Sequence, residues 1–389
     1  MRPLAIVVPV FNGVEHLRRC LESIRRCAPH EATVVLHDDA STDPAVGPEL
    51  SRFEAAMPHA TVIRANANGG FIRACNAGAL AAPAGADLLF LNADTELTRG
   101  AIEEMAAVLE ATGASVCCPL SSNATILSVP RFQQANELPP GWSAEDMAAY
   151  VREAAGEVRA VAIPTPVGFC MLVRREAWEA HGPFDTAYGM GYGEEDDLGQ
   201  KLQAAGGRIV AALRAYVWHQ GAVSFGVSDA VRERRAANGR LLLSRWPSYA
   251  EGVRAFAQAN PLRAMQERLW HALLSAPERR PRHVVHLVPR WELQGALRDS
   301  VLEAARAAKV QANHTVLVPT PDRGAWLDAI DFEVEPGIRV TGLIDLPARL
   351  GRFLAASPAT EARVHVAREW DTAAVLEAVR ERRLPVAVG

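Results

Sequence analysis

The sequence predicts an α/β protein, with a mainly parallel central sheet flanked by helices and a smaller α/β unit behind it. Three observations carry this. Short apolar runs alternate with helix-patterned stretches from the first residues onward. The cluster Pro277-Glu278-Arg279-Arg280-Pro281-Arg282 breaks that pattern, and a second β/α alternation follows it. A chain of 389 residues also exceeds one ordinary core, so two domains are expected.

Taken in order, Leu4 to Val10 is a continuous apolar run, as in a strand covered on both faces. Val14 to Cys27 places Val14, Leu17, Leu21 and Ile24 on one helical face. Strands are expected at Thr33–Leu36, Thr61–Arg64 and Asp87–Leu91, and helices at Gly70–Ala81 and Gly100–Ala111. Residues 121–165 read as a loop with a small helix, Ala144–Ala154. A strand at Val167–Val173 and a short helix at Glu176–Ala180 precede a glycine- and aromatic-rich loop, 182–193. The acids Glu194 to Asp197 open a helix to Ala205, stopped by Gly206-Gly207. Strands Arg208–Leu213 and Ala215–Trp218 lead to His219, and Asp229–Arg245 is an Arg-rich helix. The second unit should hold strands at His283–Val288, His314–Val318, Ile338–Thr341 and Arg363–Val366. Its helices are expected at Gln294–Ala308, Pro347–Ala355 and Asp371–Arg380. The expected domains are therefore 1–250 and 283–389, joined by a helical linker at 251–282.

Apolar residues make up 49% and charged residues 22%, which excludes a disordered or fibrous chain. The net charge of −4 leaves no basic field for nucleic acid. No run approaches the ~20 apolar residues of a membrane span. The start Met-Arg-Pro-Leu-Ala-Ile-Val-Val-Pro-Val is too short and β-rich for a secretory signal. A cytoplasmic protein is the expectation. The six cysteines form no C-x-x-C pair and no zinc spacing, so reduced, buried thiols are expected.

In parallel sheets ligands bind beyond the carboxyl ends of the strands. Asp39, Asp94, Glu195 and His219 are the charged or imidazole groups at such ends. Asp94, two residues after Asn92, suits a divalent cation that takes one or two carboxylates and completes its shell with phosphate oxygens and water. His219 could join that shell, since imidazole suits Mn²⁺ and other transition metals. Glu195, at a loop-to-helix junction, could take a proton from a hydroxyl. Plainer roles compete: Asp39 and Asp94 could cap helices, and the run 194–197 could be a solvated helix N-terminus favoured by the macrodipole.

Six ordered motifs extend this reading. They are Ile6-Val7-Val8-Pro9-Val10-Phe11-Asn12; His37-Asp38-Asp39-Ala40-Ser41-Thr42-Asp43; Asn66 to Gly78; Leu91-Asn92-Ala93-Asp94-Thr95; Gly182-Pro183-Phe184-Asp185 with Tyr192 to Leu198; and His219 with Ser224-Phe225. Together, over about 220 residues, they resemble the inverting glycosyltransferases of family 2, which have the GT-A fold. The second motif resembles that family's "DDGSTD" turn with Ala40 at the usual glycine, and Asn92 replaces the first acid of its "D-x-D".

The resemblance implies roles. Asp39 would accept the N3–H of uracil or thymine, with Pro9 and Phe11 lining the same pocket. Asn68, Gly69 and Arg73 would flank the donor ribose and diphosphate, beside Asn92. Asp94 would bind Mg²⁺ or Mn²⁺, with His219 as second ligand or diphosphate contact. Glu195 would be the base, and Asp197 would orient the helix or acceptor at the catalytic end. The implied reaction moves a sugar from a UDP- or dTDP-sugar to a hydroxyl of a saccharide or glycolipid, in cell-surface polysaccharide assembly. The acceptor would be free or lipid-linked, met at the inner face of the membrane by peripheral contact. The alternative is a catalytically inactive nucleotide-sugar-binding or scaffold protein on the same fold. A nucleotidyltransferase would want a Gly-rich loop with Arg and Lys after the first strand, which Val10-Phe11-Asn12-Gly13 does not supply. Residues 283–389 faintly resemble the first lobe of a GT-B-type glycosyltransferase, without the second.

Overall fold

A computed structural model describes residues 2–139, 142–221, 229–275, 282–287, 299–303, 312–320, 331–335, 338–344, 350, 361–364, 376–377, 379–380 and 386–388. The chain divides into two units, Met1–Leu269 and Trp270–Gly389.

The first unit opens with β1 (Leu4–Val10), α1 (Val14–Cys27), β2 (Thr33–Asp38), α2 (Val46–Ala56), β3 (Ala60–Arg64), α3 (Phe71–Ala81) and β4 (Asp87–Leu91). These strands lie in the order β3-β2-β1-β4 and all run parallel. Their apolar runs explain this, since β1 and β4 are buried almost throughout. In α1, Leu17, Cys20, Leu21, Ile24 and Cys27 are buried at three- and four-residue spacing, as a one-sided helix requires. Pro9 lies beyond the last pair with β4, Val7 with Phe90, where its missing N–H costs that ladder nothing. Crossovers carry β1 to β2 and β2 to β3 in one direction and β3 to β4 back in the other. The order therefore reverses between β1 and β4, and a crevice is expected at their carboxyl ends. Helix α3 packs on β1 so closely that a Cβ on Gly78 would lie 2.4 Å from Val7 Cγ1.

The sheet continues through β5 (Thr95–Leu97), α4 (Ala101–Thr112), β6 (Val116–Leu120), α5 (Ala144–Ala155), β7 (Ala160–Ala162), β8 (Cys170–Val173), α6 (Arg175–His181), α7 (Glu194–Ala204) and β9 (Ile209–His219). Beyond β4 the order is β8-β6-β9-β5, with β7 also on β9. Strands β6 and β9 run with the parallel set; β8, β5 and β7 run against it. The expected break near Arg214 is an irregularity within one strand. Pairing of β6 with β9 jumps from Pro119 with Ala212 to Leu120 with Tyr216. Proline has no N–H for the ladder, so the lapse falls where the sequence places Pro119. All six cysteines are buried and free.

Helices α8 (Asp229–Arg245), α9 (Tyr249–Ala259) and α10 (Arg263–Ser275) follow. The expected linker at 251–282 is only partly one. Leu262, Met265 and Leu269 are buried, and Gln266 and Arg268 donate to the carbonyls of Ser128 and Ala154. The first unit therefore extends past 250.

The second unit holds β10 (Arg282–Leu287), β11 (Ala312–Thr320), β12 (Asp331–Glu335), β13 (Ile338–Ile344), β14 (Glu361–Val364) and β15 (Val386–Val388). Their order is β12-β13-β11-β10-β14-β15, with only β12 antiparallel to its neighbour. Val284, Val285, Leu287, Val316, Ala362 and Val364 are buried. The α/β class expected for both units is what the structure has. The helices expected at 294–308, 347–355 and 371–380 lie largely outside the described residues, although 299–303 are helical. Among the described residues no helix is long and apolar enough to cross a membrane.

Candidate active site

The carboxyl ends of β1, β2, β4 and β9 gather most of the residues singled out above. The first wall of this site is the turn after β2. The Asp39 N–H donates to the carbonyl of Val10, and Asn12 Oδ1 accepts from the amides of Thr42 and Asp43, so the two strand-end loops are stitched together. Ala40 sits at φ +56°, the left-handed region that a Cβ disfavours. This is the physical meaning of the glycine usual at that place in the motif.

Asp39 is buried, and its carboxylate spans two backbone amides: Gly69 N to Oδ1 at 2.8 Å and Gly70 N to Oδ2 at 2.7 Å. Asn68 Oδ1 also accepts from Gly70 N, at 3.1 Å. A Cβ on Gly69 would lie 3.0 Å from Arg73 Cδ. Asp39, Asn68, Gly69 and Arg73 are thus one cluster, with half-buried Pro9 and Phe11 at the end of neighbouring β1. Arg73 is exposed. Each oxygen of Asp39 keeps a further lone pair for another donor.

The second wall follows β4. Pairing of Thr95 with His219 brings Asp94 beside the end of β9. His219 Nε2 stands 3.5 Å from Asp94 Oδ1, and the Gly221 amide donates to Oδ2 at 3.2 Å. Burial opposes the Asp94 charge most, but His219 and the Gly221 amide together outweigh it and hold the carboxyl below its ordinary range. The other ring nitrogen, Nδ1, lies 2.6 Å from the carbonyl of Asn123 and can only donate to it. That contact assigns the proton to Nδ1 and leaves Nε2 a lone pair when the ring is neutral, the usual arrangement around a metal-binding histidine. The ring stacks on Phe169, centroids 4.9 Å apart. Asn92 Oδ1 is buried without a hydrogen-bond partner.

These groups fit a divalent cation. An orphaned amide oxygen, a carboxylate and, when neutral, an oriented imidazole are oxygen and nitrogen donors of the right kind. Among the described residues, no group of three or more His, Cys, Asp and Glu side chains is gathered for a metal. The set suits an ion shared with diphosphate and water rather than one caged by protein.

The third wall is the acidic turn of α7, whose four acids have different fates. Asp197 is 1% exposed and surrounded by donors: Lys201 Nζ at 2.8 Å, Trp246 Nε1 at 2.9 Å, Tyr188 Oη at 3.2 Å and Arg245 at 3.3 Å. Burial works against its charge, yet Lys201, Trp246 and Arg245 prevail and lower its pKa. Asp196 accepts from the Thr165 hydroxyl at 2.6 Å, and burial still raises it. Glu194 is buried with Oε2 unpartnered. Burial, assisted by the charge of Asp196, pushes it up to about 7. Glu195 Oε2 accepts from the Gly193 amide at 3.2 Å. Burial and the charges of Glu194 and Asp196 hold it well above the carboxylate range.

Glu195 lies against Gly168, where a Cβ would sit 3.1 Å from its Oε1. The next residue, Phe169, stacks on His219 and gives its carbonyl to the Asn92 amide at 2.8 Å. The segment 168–169 therefore joins Glu195 to the Asn92–Asp94–His219 wall, while Asp197, two residues on, is committed to its ion cluster. Ser224 and Phe225 lie outside the described residues. Cavities of about 630 and 470 Å³, both lined by Arg2, Glu110 and Arg174, open away from this wall.

Several supporting residues had no sequence signal of their own. Asn76, quoted within a motif but given no role, exchanges two hydrogen bonds with the backbone of Phe184, at 2.9 and 3.0 Å. Phe71 N donates to Met190 O at 3.0 Å, and a Cβ on Gly70 would meet Met190 Cα at 2.7 Å. Asn123, Phe169 and Asn238 are likewise assigned only by three-dimensional contact.

The chain is similar to known proteins in part of its length. Residues 5–182 match the family model "Glycosyl transferase family 2". The N-acetylglucosaminyl-diphospho-decaprenol L-rhamnosyltransferases of two Mycobacterium tuberculosis strains, CDC 1551 and H37Rv, are 28% identical over 246 residues. The alignment covers 57% of this chain and 78% of each relative. Among solved structures, GalNAc-T7 with UDP, GalNAc and Mn²⁺ aligns at TM-score 0.47 and 17% identity, over 72% of this chain and 59% of that one, less than two thirds of its length. The mannosyltransferase PcManGT from Pyrobaculum calidifontis, in complex with GDP-Man and Mn²⁺, aligns at TM-score 0.47 and 19% identity, over 79% and 81%. Over residues 5–182, the N-terminal unit of this chain is similar to the glycosyltransferases of family 2.

Proposed function

We propose that the first unit transfers a sugar, with inversion, from a UDP- or dTDP-sugar to a hydroxyl of a saccharide or glycolipid, as a step in cell-surface polysaccharide assembly. The observation that carries the reading is the convergence of Asn92, His219 and Glu195 on segment 168–169, with Asp94 paired to His219, at the carboxyl edge of the sheet. The mycobacterial relatives, N-acetylglucosaminyl-diphospho-decaprenol L-rhamnosyltransferases, support the glycolipid side of this acceptor class.

In this reading Asp39 accepts the nucleobase N–H with the lone pairs its two amide contacts leave, between Pro9 and Phe11. Asn68, Gly69 and Arg73 flank the ribose and diphosphate, and Arg73 opposes phosphate charge. Asn92, Asp94 and His219 would hold Mg²⁺ or Mn²⁺, which supplies Lewis-acid stabilisation of the leaving diphosphate. Glu195 takes the acceptor proton; a carboxylate raised by burial is a stronger base than a free one. The deprotonated oxygen attacks the anomeric carbon opposite the diphosphate, and configuration inverts. Asp197 holds the start of α7 in place. Every residue in this scheme precedes 270, so we assign the second unit a non-catalytic role. A lipid-linked acceptor would be met at the inner face of the membrane by peripheral contact.

The test is a thermal-shift screen of nucleotide sugars with Mn²⁺ on the full chain, followed by product formation on saccharide and lipid-linked acceptors. Asp39→Ala should weaken donor binding about 10–100-fold, the scale of losing charge-assisted hydrogen bonds at a buried site. Donor binding without turnover on any acceptor would favour the inactive, scaffold alternative. A folded 1–269 truncation that binds no donor would show that the second unit builds part of the site.

A further inference from the structure

We infer that Asn238, on helix α8, is a positioning residue for the acceptor-side loop and, through it, for Glu195. The inference rests on the reading of Glu195 as the base. The loop 186–193 feeds directly into the acidic turn of α7, and its backbone is unusual. Gly189, Gly191, Tyr192 and Gly193 all have positive φ, at +68°, +139°, +76° and +98°. Tyr192 carries a Cβ in that region, so its conformation must be imposed by contacts from outside the loop.

Asn238 supplies them. Its side chain is buried, and Nδ2 lies 2.8 Å from the Tyr188 carbonyl and 2.9 Å from those of Gly191 and Tyr192. One amide group thus gathers three carbonyls of a loop more than 45 residues earlier in the chain. Arg235, one turn earlier on α8, places its guanidinium 4.1 Å over the Tyr192 ring. Arg245, at the other end of the helix, bonds Asp185 at 2.7 Å and Asp197 at 3.3 Å. Helix α8 therefore touches the loop before, along and after its strained stretch.

The consequence for Glu195 is geometric. The Gly193 amide donates to its Oε2. The orientation of that amide follows from the peptide of Tyr192, whose carbonyl Asn238 holds. Releasing the carbonyls frees the peptide and lets the carboxylate drift from its place against Gly168. A displacement of about 1 Å in a reacting group can lower a rate by about 10²-fold.

The chemistry of the contact makes the test specific. Three carbonyls require a donor. Asn238→Asp keeps the volume but sets carboxylate oxygens against carbonyl oxygens, whereas Asn238→Ala only removes the donor. In the full chain, hydrogen exchange of peptides spanning 186–193 should rise in both variants, while those of β1 and β2 keep their protection. With donor and acceptor, kcat should fall about 10–100-fold in Asn238→Ala and further in Asn238→Asp, with the donor KM within about twofold of the parent. A packing role alone would leave the isosteric Asn238→Asp near parental activity, and that result overturns the proposal. So does unchanged loop exchange in a folded Asn238→Ala. If Asn238→Ala does not fold, Asn238→Ser, which retains one donor, takes the same readouts, with a smaller loss expected and parental exchange and kcat overturning the inference. The exchange arm uses no sugar. Absence of turnover in the parent protein would therefore overturn the transfer reading and leave the positioning of the loop to be decided by exchange.

Discussion

The carboxyl edge of the first sheet holds two kinds of acid. Asp39 and Asp94 stand singly after β2 and β4, each with backbone amides at its oxygens. Glu194 to Asp197 share one helical turn, and their charge states diverge: Asp197 is lowered by Lys201, Trp246 and Arg245, while Glu194 is raised by burial and the charge of Asp196, and Glu195 by burial and the charges of Glu194 and Asp196. A strand-end acid has its surroundings set by the ladder and the turn after it. Neighbours in a helical turn point in different directions, so each takes the environment its own direction meets. Identical chemistry in adjacent positions thus yields a structural anion at Asp197 and a candidate base at Glu195.

The largest expected effect tests the first kind. Asp94→Ala should abolish transfer, a loss of at least about 10³-fold, and remove any enhancement of nucleotide binding by Mn²⁺. Parental turnover in that variant would end the assignment of Asp94 to a cation.

Next comes the contrast inside the acidic turn. Glu195→Gln should keep donor affinity and lower kcat by about 10²–10⁴, the range for loss of a general base. A crippled Asp197→Asn beside an active Glu195→Gln, at equal folded fraction, would move the base by two residues.

The same turn should show opposite pH dependences of stability. The folded state lowers Asp197 below its ordinary 3.8, so its stabilisation is full above about pH 4 and is lost as pH falls through the lowered value. Asp197→Asn should cost about 2–3 kcal/mol at neutral pH, moderated because Lys201 and Arg245 are partly exposed, and progressively less below about pH 4. Glu194 moves the other way. Its proton is held more tightly folded than unfolded between 4.5 and about 7, so stability falls as pH rises through that window. Glu194→Gln should raise the melting temperature at about pH 8 and not at about pH 4. Parallel pH profiles for the two variants would break the distinction.

The smallest effect concerns the turn that carries Asp39. Ala40→Gly should raise stability by about 0.5 kcal/mol, the relief of a left-handed Cβ less the added freedom of the unfolded chain. A drop in melting temperature would mean that the Ala40 methyl makes contacts outweighing its strain.

Much of the edge was legible in the residues. The runs at β1, β2 and β4 and the face of α1 carry their periodicity openly, and the alternation placed Asp39 and Asp94 beyond strand ends. Other parts carried weak local signals. Helix α2 begins Val46-Gly47-Pro48, and both Gly47 and Pro48 read as turn residues although proline is tolerated in a first helical turn. Strand β5 is three residues long, and β6 contains Pro119. The bulge that makes β9 one strand arises from its pairing with β6 rather than from its own sequence.

The order of motifs along the chain, the acids at strand ends and the family they resemble were set by sequence alone, because a parallel sheet converts chain order into one functional edge. Which of four consecutive acids is buried bare, which is ion-paired, and which meets segment 168–169 was decided only by tertiary structure. Those outcomes depend on Lys201, Trp246 and Arg245 around Asp197, on Gly168 against Glu195, and on Asn238 beneath the loop. Such partners come from other elements, and a side chain's protonation follows the burial and charge around it rather than its neighbours in the chain.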